Sequence, residues 1–217
     1  KISPDCIVVV ATIRALKYHG GVSKDQLNTP NTFAMLDGFE NLKRHIENMK
    51  SYGVPVVVAI NRFATDSSEE ISELKKVCQE LGVDIAEANV FAKGGEGGIE
   101  LAEKVVSACD QPNEFSPLYS SSISLEEKME KIAVNIYGAS GVKYTKSAKR
   151  SLQKIKDMGY DGLPVCVAKT QYSFSDDPSK LGAPSNFFIT VREVRLMAGA
   201  GFVVMLTGDV MTMTGLP

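Results

Sequence analysis

The chain has 217 residues, 44% of them hydrophobic and 23% charged, which suits a globular protein of one domain or one and a half. A net charge of −2 and a pI near 5.8 exclude a general attraction to DNA, RNA or anionic membranes, while leaving room for a local cationic pocket. Four scattered cysteines with no C-x-x-C pair argue against a zinc or thioredoxin-like motif, and no stretch reaches the ~20 apolar residues of a membrane helix.

Residues 6–11, Cys-Ile-Val-Val-Val-Ala, form an unbroken apolar run, which predicts a strand buried on both faces. Cys6 in this run, and Cys166 in a later one, read as core residues, and the cysteine usage suits a reducing, cytoplasmic setting. Residues 19–31 carry glycines, asparagines and a proline and read as a loop. Phe33, Leu36, Phe39, Leu42, Ile46 and Met49 then recur every three to four positions, predicting one helix over 30–52 with Pro30 in its first turn and Gly53 as its stop. His45 within it reads as structural. A second buried strand follows over 54–60, then a loop over 61–66. Ser67 or Ser68 caps a helix over 69–81, with Glu69 and Glu70 near its positive end. A third strand over 83–90, a glycine-rich loop over 93–98 and a helix over 99–109 complete a β-α-β-α-β-α unit at residues 1–110.

Residues 111–122 look like a linker. The remainder, 111–217, reads as a smaller α+β region: helices at 124–137 and 145–158, a short strand at 165–168, a polar loop at 170–186, and strands at 187–196 and 202–206. The fold class predicted is therefore α/β, a three-layer, mostly parallel sheet of partial phosphate-loop NTPase character, followed by α+β. Both ends, Lys1-Ile2-Ser3-Pro4 and Gly215-Leu216-Pro217, lie against structured stretches, so the sequence is expected to be a piece of a longer chain.

Ligands of open α/β sheets bind beyond the carboxyl ends of the strands, so the loops at 12–28, 61–66 and 91–98 are the candidates. Phe63 follows the second strand and Phe91 the third. Each reads either as a hydrophobic anchor folded back on a helix or as a stacking face for a flat heterocycle. Asn61 reads as a turn residue or as an amide for the edge of such a ring. Lys93, Gly95, Glu96 and Gly97 form a flexible connection or an anion cradle of free backbone N–H groups, but the run matches neither G-x-x-x-x-G-K-[ST] nor G-x-G-x-x-G. Arg14, Lys17 and His19 read as a solvated stretch or a joint site for a carboxylate or phosphate. Asp176 and Asp177 are adjacent, which rarely lets both hold one metal ion, so no metal site is expected.

Along these segments the sequence resembles formate–tetrahydrofolate ligase. The matching runs are Ala11-Thr12-Ile13-Arg14-Ala15-Leu16-Lys17-Tyr18-His19-Gly20-Gly21, residues 56–63, 92–98 and 168–177, Thr190-Val191-Arg192-Glu193-Val194-Arg195, and Met211-Thr212-Met213-Thr214-Gly215-Leu216-Pro217. The resemblance implies a homotetrameric enzyme that uses ATP, Mg2+ and formate to make 10-formyltetrahydrofolate by way of formyl phosphate, with a monovalent cation as a further candidate. It implies a pterin ring stacked between two aromatics, at the positions of Phe63 and Phe91. The second is often Trp in the family, and Pro usually stands where this chain has Thr214. The family's phosphate loop has no counterpart here, so the chain is expected to be the folate-binding, C-terminal portion, inactive alone and partnered by a missing N-terminal portion. The alternative is an inactive folate- or nucleotide-binding module of the same ancestry.

Overall fold

The computed structural model describes residues 3–208. The closing motif, with Thr214, lies outside the described residues. The chain divides into two units, Lys1–Ser116 and Pro117–Pro217.

The first unit is organised by β2 (Val56–Asn61), whose five apolar residues are all buried and whose last residue, Asn61, emerges into solvent. β1 (Ile7–Ala11) and β3 (Asp84–Ala88) flank it, both parallel, in the order β1-β2-β3. One face of the sheet carries Val56, Val58, Ile60 and Ile85. It packs against α1 (Ile13–His19), α3 (Phe39–Lys50) and α4 (Ser68–Glu80) through Leu16, Ile46 and Leu74. α6 (Ile99–Cys109) packs on β2 and β3 across the other face. The result is parallel-rich α/β architecture, as read from the apolar runs.

Four expectations are corrected. β1 is not buried on both faces: it is an edge strand, and because α6 lies over β2 and β3, Val8 and Val10 stay exposed, Val10 at 65%. The single helix over 30–52 is two, α2 (Thr32–Asp37) and α3, separated by Gly38. A Cβ at Gly38 would stand 1.9 Å from the Leu16 carbonyl oxygen, so the break occurs where α1 leaves no room for a side chain. Asn31 caps α2, so Pro30 precedes the helix, and Phe33 faces solvent. Residues 13–19, taken as loop, are α1, capped by the Thr12 hydroxyl accepting from the Ala15 N–H at 3.1 Å. Finally, only Cys78 is fully buried; Cys6 is half-buried and Cys166 is exposed on its strand.

The second unit holds a mixed sheet ordered β4-β6-β7-β5. β6 (Ile189–Met197) and β7 (Phe202–Thr207) are antiparallel, while β4 (Val142–Tyr144) runs parallel to β6 and β5 (Val165–Ala168) parallel to β7. The three-residue β4 was not read from the sequence. α7 (Leu125–Lys131), which ends in a π-helical turn, and α8 (Lys146–Asp157) cover the sheet through Leu125, Met129, Leu152 and Ile155.

Candidate functional site at two strand ends

The β2–β3 register aligns Asn61 with Ala88, so the chain leaves both strands at one level, and Asn89 comes next. After Asn61 the backbone turns tightly. The Phe63 N–H donates to Asp66 Oδ2 at 2.8 Å, and the Asp66 N–H returns to the Phe63 carbonyl at 3.0 Å. Asp66 is buried, its Oδ1 has no hydrogen-bond partner among the described residues, and burial raises its pKa against the pull of the Phe63 N–H. This turn holds Phe63 at the surface, 39% exposed.

After β3 the chain winds one helical turn, α5 (Val90–Lys93), and then a 3-10 turn over Gly94–Gly98. The glycine-rich segment is therefore a folded turn and not an open connection. The Asn89 N–H donates to the Gly97 carbonyl at 2.9 Å, and a Cβ on Gly97 would meet the Asn89 carbonyl oxygen at 2.3 Å. Closing the turn in this way pushes Phe91 fully into solvent.

Between these two turns lies an open cavity of about 850 Å3. Phe63 and Phe91 both line it, with the amides of Asn61 and Asn89 and the ammonium-bearing Lys93. Its lining also includes Arg62, which Glu87 holds at 2.8 Å while Lys75 bonds the other carboxylate oxygen at 2.8 Å. The Lys75 hydrogen bond is the main reason the Glu87 carboxyl titrates below its ordinary value. A large apolar fully exposed ring beside a half-exposed one costs solvation unless something covers them. Such a cavity suits a flat, partly polar ring system.

Of the residues singled out from the sequence, Asn61, Phe63, Phe91 and Lys93 come together here. Gly95, Glu96 and Gly97 shape the turn but do not line the cavity. Arg14, Lys17 and His19 do not form a joint anion site. Lys17 is 0% exposed, with its ammonium 3.0 Å from both Glu70 Oε1 and the Thr29 carbonyl. Burial works against ionisation of Glu70, but hydrogen bonds from the Asn31 and Ser67 N–H groups, Lys17 and the Ser67 hydroxyl outweigh it and leave its pKa lowered. His19, half-buried at the end of α1, has its pKa lowered by burial. Arg14 lies with its guanidinium over the Phe63 ring, 5.4 Å from the centroid.

Sequence reasoning missed Asn89. Its signal was present as a repeated Asn-x-Phe, Asn61-Arg62-Phe63 and Asn89-Val90-Phe91, at consecutive strand ends. In the second unit, Asp176 accepts from the Thr190 N–H at 2.9 Å and Asp177 from the Ser179 N–H at 2.9 Å. Among the described residues no three His, Cys, Asp or Glu side chains converge as metal ligands, and no helix is long and apolar enough to cross a membrane.

A family model described as formate–tetrahydrofolate ligase matches residues 1–217.

Proposed function

The chain belongs to the formate–tetrahydrofolate ligase family, and on that premise we propose that the cavity between Phe63 and Phe91 clamps the pterin ring of tetrahydrofolate. The observation that carries this reading is one cavity lined by two aromatic side chains from neighbouring parallel strand ends. A planar heterocycle held there gains apolar contact on both faces and removes both rings from water. The amides of Asn61 and Asn89 are placed to pair with donors and acceptors on the edge of the ring. Lys93 offers a cation to a carboxylate on the attached tail.

In the whole enzyme this clamp would position the folate N10 amine to receive the formyl group in an ATP- and Mg2+-dependent reaction. The three-stranded parallel sheet supports a partial phosphate-loop NTPase-like layer, but the sequence contains no G-x-x-x-x-G-K-[ST]. The contribution proposed for this chain is binding and orientation of folate, and ATP turnover by it alone is not expected. A binding module of the same ancestry would share the clamp; joining the chain to a phosphate-loop domain and assaying 10-formyltetrahydrofolate formation separates the two.

Titration calorimetry with tetrahydrofolate under reducing conditions tests the clamp. Stacking is worth roughly 1–3 kcal/mol per ring, so Phe63→Ala and Phe91→Ala should each weaken binding by about fivefold to 150-fold. A folded wild-type chain that does not bind, or variants that bind equally well, would refute the reading.

A further inference from the structure

Phe63 has two faces, and the cavity needs only one. The guanidinium of Arg14 stands over the ring at 5.4 Å from its centroid, while Arg14 is not among the residues lining the cavity. Phe63 thus meets two different neighbours, the open cavity and a cation that does not line it. We propose that Arg14 is a positioning residue for the folate clamp: it occupies the rear face of Phe63 and confines a bound ring to the face turned toward Phe91. This rests on the folate reading of the cavity.

The placement of Arg14 follows from how α1 is held. Arg14 and Lys17 are one turn apart on α1. Lys17 is clamped to Glu70 of α4, and Glu70 also receives the N–H and hydroxyl of Ser67, the cap of that helix. Ser67 directly follows Asp66, whose carboxylate fixes the Phe63 N–H. The path from guanidinium to ring thus closes on itself, through α1, the buried ion pair, the α4 cap and the Phe63 turn. Two attachments hold the ring: its backbone through Asp66 and its rear face through Arg14. A guanidinium stacks flat on an aromatic face and stays charged at every working pH, which makes it a durable backing for a ring that is otherwise half in water.

The test pairs Arg14→Met and Arg14→Lys with Phe63→Ala and Phe91→Ala, reading the tetrahydrofolate Kd of each single and double variant. Arg14→Met should weaken binding by about three- to tenfold, and Arg14→Lys should restore part of that loss. The Arg14→Met effect should vanish in the Phe63→Ala background and persist in the Phe91→Ala background, because only Phe63 is backed. Full additivity with Phe63→Ala, or no effect of Arg14→Met, would overturn the assignment. A ligand-free readout separates it from the folate reading. The chain has no tryptophan, so Phe63→Trp introduces a single indole that can be excited selectively over the tyrosines. Adding Arg14→Met should raise its acrylamide quenching by uncovering the rear face; unchanged quenching would overturn the backing role even if tetrahydrofolate binds. Circular dichroism and thermal melts establish that each variant compared is folded.

Discussion

Each unit sets a lysine close to a strand-end loop, Lys17 fully buried in the first and Lys169 half-buried in the second, and the two units do opposite things with the surface beside it. In the first unit Lys17 pairs with the Glu70 carboxylate, and the loop after β2 leaves an aromatic ring partly exposed. In the second, Lys169 follows β5 and donates to the carbonyls of Thr170, Ser173 and Ser175, with the Tyr137 ring 5.2 Å away. There the loop wraps its own cation and satisfies itself. The first arrangement spends its buried charge on locking α1 to α4, which frees the loop tip to present Phe63. A loop that folds inward around an ammonium has little left to offer a ligand, whereas one pinned at its base can hold a hydrophobic group in water.

Breaking the ion pair should give the largest effect. Lys17→Met leaves Glu70 buried without its cation and should cost roughly 3–5 kcal/mol in urea unfolding. Replacing both partners, Lys17→Met with Glu70→Leu, should recover much of that stability, although the Glu70 capping contacts are then lost. Next in size is Lys169→Met, which strips a donor from three carbonyls in a half-buried loop. A loss of about 1–3 kcal/mol is expected, with faster proteolysis within 170–186 and no change at the first unit's cavity. If Lys169→Met instead weakened tetrahydrofolate binding while the protein stayed folded, the contrast between the two loops would fail.

Smaller changes sharpen the comparison. Phe91→Trp enlarges the exposed wall and should tighten tetrahydrofolate binding several-fold, by calorimetry, without altering thermal stability, because Phe91 is fully exposed in the free chain. The smallest effect concerns acid. Burial lowers the His19 pKa from 6.5, so the unfolded chain takes up a proton first as pH falls through 6.5. This group therefore subtracts stability on acidification below that value, and the term is absent above it. His19→Gln should flatten the fall in urea midpoint between pH 7.5 and 5.5; an unchanged slope would remove His19 from the acid response.

Much of the framework was legible in the linear sequence, for reasons particular residues make plain. The apolar run over 54–60 read as a buried strand, found as β2, and Ser67 or Ser68 before Glu69 and Glu70 marked the start of α4, where the structure shows Ser67 and Glu70 closing a capping box. Ser124-Leu125-Glu126-Glu127 likewise read as the start of a helix, and Ser124 caps α7. Phe63 and Phe91 stood at strand ends, so their meeting at one cavity followed from parallel pairing. The sequence hid what depends on packing between elements. Gly38 looks like any glycine within a helical period until α1 is laid across it. Lys17 looks like one of three surface cations until α4 brings Glu70 to it. Val8 and Val10 look like core until the sheet edge leaves them uncovered. By itself, the sequence determined the order and kind of most elements, because hydrophobic period and capping chemistry act within a few residues. Tertiary structure alone decided which charge was buried, which strand was an edge, and that Arg14 stood over Phe63, because those depend on groups far apart in the chain and adjacent only once the helices are packed.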